Sequence, residues 1–537
     1  MAERKSARVM RRQLGQFMTP KELADRVVSD LHLTPDSRVL EPSFGEGSFL
    51  LPLIRRLMAM HSGSEADRFA QVMTRNVYGV EIDPHLYQVT LEAVEAEFGT
   101  LPQNHNLVRG DFFRTEYFHD FFDVVVGNPP YGGTFDPGIE DSLDKLYGLW
   151  DGHKLKKETY SFFTARALEW LKPGGRLHFI VSDTMMTIKT MGGLRRKLMD
   201  TSAVSIESLP YFSDETNQPT LVLHAVYGEP FDRLTIDGRN LSRELIELTG
   251  NFSWRIDESM AKYFKGPKIG DYFVASSGMT IGKNELFLRD IVDGQIVEPY
   301  EFTYFEDPIT LSRELERARL HKLSPNLQRR IAAQEARGEC RRNVCVSPVA
   351  TPTVVTMPCA EYAYYNKASS AIVYEAPRTA VYWKDAGDAV LTFKKNGPWY
   401  LHGVGGQPYF GREGLTWQLI SPRLNMRYLP AGYILDSGAP AMFLRQGVPY
   451  EELWFVLGWC LTSEATRILK TVINHTRNIQ SKDVERLPYP YWVQGERKVE
   501  IIALVGRMVG DAIAGQRFDR SGPEILKLEE MFSLGAS

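Results

Sequence analysis

Phe121-Phe122-Asp123-Val124-Val125-Val126-Gly127 runs directly into Asn128-Pro129-Pro130-Tyr131, and the reading of this stretch decides the fold. A run of β-branched residues closed by glycine has the character of a buried parallel strand. The tetrapeptide behind it then falls at the strand's C-terminal edge, where open α/β sheets place their ligands. Asparagine ahead of proline is pushed out of the helical region, and each proline fixes its own φ and donates no hydrogen bond. The product is a stiff loop offering an amide oxygen, backbone carbonyls and an aromatic face. Such a corner suits a planar exocyclic nitrogen bearing two hydrogens. One goes to Asn128 and one to a proline carbonyl, while the substrate ring stacks on Tyr131. Standing alone, the tetrapeptide also reads as a proline-rich turn.

Upstream, Arg38-Val39-Leu40-Glu41-Pro42 reads as a short buried strand, followed by Ser43-Phe44-Gly45-Glu46-Gly47-Ser48 entering a helix. Glycines in a strand-to-helix turn let a ligand approach the backbone and expose the helix N-terminus to it. A second strand, Val77-Tyr78-Gly79-Val80, ends in Glu81-Ile82-Asp83-Pro84. An acidic residue in that place typically takes ribose hydroxyls. The phosphate-binding GxGxxG is absent, so a nucleoside without phosphates, such as S-adenosylmethionine, fits better than a dinucleotide. Leu107-Val108-Arg109-Gly110-Asp111-Phe112-Phe113 sets a carboxylate and aromatics just past a third strand, with Asp111 suited to an adenine amino group and Phe112 to its ring. Ahead of all these, Thr19-Pro20 reads as an N-cap with proline at the first helical position, Glu22 at the third, and an amphipathic helix through Leu31.

Downstream, the pattern predicts a helix over 160–171, closed by Lys172-Pro173-Gly174-Gly175, then the strand Leu177–Val181. Strands alternating with helices over 36–227 indicate a doubly wound α/β domain. Alternation stops near Gly228-Glu229-Pro230, which places one domain at 1–230 and a second, mixed α+β region at 231–537. In that second region, 311–342 carries many arginines interleaved with glutamates, read as a solvated helical face or as phosphate contacts. Residues 361–433 are rich in Tyr, Trp, Gly and Pro, suited to reading base edges. Trp454 begins an apolar helix, and 498–515 reads as a closing helix.

The whole chain sets outer limits. Its 537 residues suffice for two or three cores, and a net charge of -4 requires any nucleic-acid surface to be a local patch. Four cysteines argue for a reducing compartment and against a disulfide framework. Cys340, Cys345 and Cys359 lie close together, but no histidine or fourth cysteine completes a zinc spacing, so no metal is expected. The basic leader has no apolar run behind it and no stretch approaches membrane-spanning length, so a cytoplasmic protein without membrane contact is expected.

In order, the motifs are Phe17-Met18-Thr19-Pro20, LEPSFGEGSFL, GVEIDP, RGDFF, GNPPY, a helix ending LKPGG and an aromatic turn at Tyr211-Phe212. This set, over about 15–227, resembles the gamma class of N6-adenine DNA methyltransferases, the TaqI type. The C-terminal half is faintly similar to the specificity regions of BREX-type phage-defence methyltransferases, on stretches such as Gly414-Leu415-Thr416-Trp417 and Glu485-Arg486-Leu487-Pro488. The resemblance implies a Rossmann-like S-adenosylmethionine-dependent catalytic domain followed by a target-recognition region. It further implies that Thr19, Glu41, Gly45 and Gly47 hold the methionine part of the cofactor, and that Glu81 takes the ribose. Asp111 would take the adenine amino group, with Ile82, Phe112 and Phe163 as the ring's walls. Asn128 and Pro129 would accept the target amine's hydrogens beside Pro130. Tyr131 and Phe212 would stack the target base, with Phe17 nearby. Double-stranded DNA is the implied partner, in restriction–modification or phage defence. The stretch before Phe17 leaves no room for the nuclease domain that some fused enzymes carry, and whether a separate cognate nuclease or other defence proteins accompany the chain stays open at the level of sequence. The same tetrapeptide serves enzymes that methylate RNA guanine or a protein glutamine amide, and both alternatives stay open at the level of sequence.

Overall fold

The computed structural model describes residues 19–117, 119–132, 135, 137–155, 158–209, 219–229, 233–281, 284–307, 341–392 and 406–533. Two compact units divide the chain, Met1–Lys262 and Tyr263–Ser537.

Unit 1 is built on a sheet of nine described strands: β1 (Val39–Glu41), β2 (Val77–Glu81), β3 (Asn106–Arg109), β4 (Phe122–Gly127), β5 (Leu171–Ser182), β6 (Ser202–Leu209), β7 (Thr220–Tyr227), β8 (Arg233–Ile236) and β9 (Arg239–Ser242). Their spatial order is β9-β8-β6-β7-β5-β4-β1-β2-β3. From β3 to β5 every neighbour is parallel, in registers such as Val39↔Val77, Val39↔Val124 and Gly127↔Phe179. The strand ends carrying Glu41, Glu81, Arg109 and Gly127 therefore share one edge. The strand order reverses between β1 and β4, the point where a sheet of this kind opens a crevice for ligands. β7 enters antiparallel between β5 and β6.

Helices α1 (Lys21–Ser29), α2 (Leu50–Met58), α3 (Pro84–Phe98), α4 (Thr159–Trp170) and α5 (Gly192–Thr201) connect these strands. α1 and α2 bury Val27, Val28, Leu53, Ile54 and Leu57 in one cluster with Val39, Val77, Val124 and Val126 of the sheet. α3 starts where the sequence places an acidic residue ahead of proline: the Asp83 carboxylate accepts from His85 N–H (2.8 Å) and Leu86 N–H (3.3 Å).

Two expectations are corrected. Pro20, at φ -56° and ψ 140°, occupies the cap of α1 and no side chain caps that helix. Thr19 lies one residue outside, and its hydroxyl is spent elsewhere. The unit boundary also falls at Lys262, beyond the expected 230. β8 and β9 form a hairpin that adds to the sheet through β6, in the register Thr235↔Ser205. Trp254 is fully buried and its backbone N–H donates to the Met186 carbonyl at 2.9 Å, and the buried Arg195 guanidinium of α5 donates to the carbonyls of Asn251 and Phe252 at 2.7 Å each.

Unit 2 contains short strands in small sheets, among them Phe273–Ser276 with Ala441–Leu444, and Tyr362–Asn366 with Thr379–Tyr382. It closes with the helices Glu452–Leu461, Gly495–Ile513 and Pro523–Phe532. Among the described residues no helix is long and apolar enough to cross a membrane.

Gly79 in β2 is where the sheet and the glycine turn touch. A Cβ there would stand 2.8 Å from Phe44 Cδ1 and 2.9 Å from Leu107 Cδ2. Gly79→Ala is expected to destabilise the protein by about 1–3 kcal/mol through overpacking, read as a lowered urea midpoint at an unchanged slope.

Candidate active site

The C-terminal edge of β1, β2 and β4 opens into a cavity of about 260 Å³. Glu41 ends β1 beneath it and is buried. The turn that follows presents Gly45 to the cavity, and α3 fastens the turn from behind: Thr90 Oγ1 donates to the Gly45 carbonyl at 2.6 Å. Gly47, at φ +79°, stands 3.0 Å from Thr90 Cγ2 by its missing Cβ and does not line the cavity. It permits the left-handed turn that any side chain would strain.

Glu81 ends β2, buried. Its Oε2 accepts from Gly45 N–H at 2.9 Å and its Oε1 from Asp83 N–H at 2.8 Å, so one carboxylate ties the glycine turn to the start of α3. Burial raises its pKa, opposed by the N–H groups of Asp83 and Gly45. Beyond β3, Asp111 Oδ1 accepts from Phe113 N–H at 2.8 Å, which turns the chain sharply at the cavity wall. Ile82 is 48% exposed although apolar, and it faces the cavity. Phe112 and Phe163 are stacked on each other, with centroids 4.4 Å apart and planes at 19°. Both line the cavity as a joined pair, and Ile82 lines it as well.

The charge of this cavity is one-sided. Among the described residues Glu41, Glu46, Glu81 and Asp111 line it, against one cation, Arg114. Glu41 Oε2 is buried without a hydrogen-bond partner, and desolvation, with Glu81 beside it, holds its carboxyl well above the usual carboxylate range.

Next to the carboxylates stands the Asn128 corner. Asn128 Nδ2 donates to Thr19 Oγ1 at 3.0 Å, and Tyr131 Oη donates to Asn128 Oδ1 at 2.5 Å. The same Tyr131 hydroxyl lies 2.9 Å from the Ile180 carbonyl of β5. Both ends of the amide are thereby held, and the amide is not free to flip. The Tyr131 ring meets Tyr160 edge-on, at 5.9 Å and 84°. Burial and Tyr160 push its phenol well above the usual range, so it keeps its proton. Asn128, Pro130 and Thr19 line the cavity, and Pro129, between the first two in the corner, is buried.

Of the residues the sequence singled out, Thr19, Glu41, Gly45, Glu81, Ile82, Asp111, Phe112, Phe163, Asn128 and Pro130 meet at one cavity. Phe17, Tyr211 and Phe212 lie outside the described residues, as do the arginines from Arg313 to Arg337. Sequence reasoning missed Phe113, Phe135 and Ile139 as lining residues. Phe113 lies within the RGDFF motif but is given no role of its own there. Ile139 sits on a helix, Pro137–Tyr147, that no motif announces.

The family model described as Eco57I restriction-modification methylase matches residues 75–216. The chain is 30% identical over 203 residues to the Type II methyltransferase M.PaeR7I of Pseudomonas aeruginosa, covering 34% of each. It is 28% identical over 193 residues to M.TthHB8I of Thermus thermophilus, covering 34% of this chain and 38% of the relative. The chain thus spans about a third of the length of the curated relatives it matches. Among solved structures, the DrdV–DNA complex is similar at a TM-score of 0.57 and 14% identity, covering 96% of this chain and 60% of that one. A nuclease-deletion mutant of the Type ISP restriction-modification enzyme LlaGI, in complex with a DNA substrate mimic, is similar at 0.56 and 13%, covering 92% and 47%. At these identities the likeness is one of fold.

Glu81→Gln exchanges one acceptor for an amide NH2 that faces a backbone donor, leaving either the Gly45 or the Asp83 N–H unsatisfied. A loss of about 1–3 kcal/mol is expected in chemical denaturation of the free protein.

Proposed function

We propose that this chain is a DNA methyltransferase of the restriction–modification type, transferring a methyl group from S-adenosylmethionine to the N6 amino group of an adenine flipped out of duplex DNA. The observation that carries the reading is the Asn128 amide, fixed by Thr19 and Tyr131 at the end of β4 beside an acidic, aromatic-walled cavity. The Type II methyltransferases similar to the chain in sequence support a methyltransferase of this type, and the motif order described above is what supports adenine.

The cavity fits the cofactor. S-adenosylmethionine carries an ammonium and a sulfonium, and four carboxylates face the space with one of their oxygens unpartnered. Glu41 and Thr19 would hold the methionine end, Glu81 the ribose, and Asp111 the adenine amino group against Ile82, Phe112 and Phe163. When bound, the cofactor supplies an electrophilic methyl group on a cationic sulfur.

The chain's own residues supply orientation. The target amine's lone pair is conjugated into its ring and is a poor nucleophile. Asn128 Oδ1 and the Pro129 carbonyl accept its two hydrogens, favour a pyramidal nitrogen and stabilise the positive charge that develops there. Tyr131 supports this arrangement in two ways: its face stacks on the base and its hydroxyl keeps Oδ1 aimed. Oδ1 has lone pairs for both the tyrosine and the amine. Drawing adenine from the duplex costs a few kcal/mol, offset in part by stacking worth about 1–3 kcal/mol on an aromatic face. Unit 2 serves as the target-recognition region for double-stranded DNA, with a cognate restriction nuclease or other defence proteins as separate partners.

Tritiated S-adenosylmethionine offered with unmodified DNA, RNA and protein tests the reading, followed by nucleoside analysis. N6-methyladenine in DNA is the expected product; label confined to RNA or protein overturns it. Asn128→Ala should abolish turnover while cofactor affinity by calorimetry changes little. Tyr131→Phe keeps the ring but removes the hydroxyl. Its expected effect is a roughly tenfold lower kcat with KM for DNA nearly unchanged, about 1.4 kcal/mol for one neutral hydrogen bond. An unchanged kcat would leave Tyr131 with stacking alone.

A further inference from the structure

Glu41 combines features that the transfer chemistry does not require. It is 1% exposed, and its Oε2 touches no donor. Its Cγ lies 3.6 Å from where a side chain on Gly127 would begin, so its side chain packs beside the end of β4. Among the described residues no cation is paired with it. The charged groups sharing its cavity are Glu81 from β2, Glu46 from the glycine turn, and Asp111 and Arg114 from beyond β3. Three of those four repel an ionised Glu41. An unpaired carboxylate buried against other carboxylates is strongly disfavoured, and the group stays neutral instead.

We propose that Glu41 is protonated in the free protein and gives up its proton to solvent when the cationic end of the cofactor enters, making binding proton-linked and selective for a cation. The proposal rests on reading this cavity as the cofactor site. The balance is simple: the carboxyl O–H bond breaks, the proton passes to buffer, and the carboxylate that remains pairs with the incoming charge. Burial of Glu41, with Glu81 beside it, raises its pKa, so its proton is held to higher pH than an ordinary carboxyl's and is lost as pH rises further. Cofactor affinity should therefore climb about tenfold per pH unit while free Glu41 is protonated, then level off.

Isothermal titration of the full chain with S-adenosylmethionine, in pairs of buffers at one pH but with different ionisation enthalpies, measures the protons released. About one proton is expected for the wild type and none for Glu41→Gln. Titration with S-adenosylhomocysteine, which keeps the ammonium and lacks the sulfonium charge, identifies the cation. Release with both molecules assigns the ammonium, and release with S-adenosylmethionine alone assigns the sulfonium. Binding without proton release, or equal release from the variant, overturns the proposal and leaves the cofactor reading standing. Failure of both molecules to bind overturns the two together. A second measurement needs no cofactor. A folded-state pKa above the unfolded value gives stability that is complete at low pH and lost as pH rises. The melting temperature of free wild type should therefore fall relative to Glu41→Gln from acidic to neutral pH. A constant difference overturns the assignment.

Discussion

The candidate site depends on one constraint: the Asn128 amide is held at both ends. Thr19 Oγ1 takes its N–H at 3.0 Å, and Tyr131 Oη, with one proton to donate, faces the amide oxygen at 2.5 Å and the Ile180 carbonyl of the neighbouring strand at 2.9 Å. An amide whose oxygen and nitrogen look alike in shape becomes directional only through such partners. The prolines behind it fix the backbone, and the two hydroxyls fix the side chain. Preorganisation of this kind lets an acceptor act without reorganising at the moment charge develops.

Everything else at the cavity follows from parallel strands in register. Because β1, β2, β3 and β4 run the same way, their C-terminal residues gather carboxylates from distant parts of the chain: Glu41, Glu81 and, just past β3, Asp111. These acids are not interchangeable. Glu81 is satisfied by the N–H groups of Gly45 and Asp83 and acts as a brace for the glycine turn. Glu41, with an oxygen lacking a donor, is the one whose charge state awaits a ligand.

The two units were unequally legible. In unit 1 the glycines, prolines and acids each have a local reason to sit where they do, and the strand run 121–127 is apolar enough to announce burial. The hairpin of β8 and β9 carries no such signal. Arg233-Leu234-Thr235-Ile236 and Arg239-Asn240-Leu241-Ser242 are short and polar; β9 is the edge strand, and only the pairing of β8 with β6 makes the hairpin part of the sheet. In unit 2, strands of three to five residues such as Gly414–Thr416 and Tyr362–Asn366 are stabilised by non-local partners, which local periodicity does not register.

By itself the sequence determined the strand, the stiff Asn-Pro-Pro-Tyr corner, the glycine turn and the acid at the end of β2, because each rests on backbone restrictions or burial written into a few adjacent residues. Tertiary structure alone decided what Thr19 does. Its position before Pro20 reads as a helix cap, yet proline takes the cap and the hydroxyl turns to Asn128, 109 residues away. It likewise decided that Phe112 and Phe163 stack on each other and that Glu41 lies beside Glu81. Hydrogen bonds, ring contacts and desolvation across such separations depend on which surfaces the sheet brings together. No window of sequence contains that information.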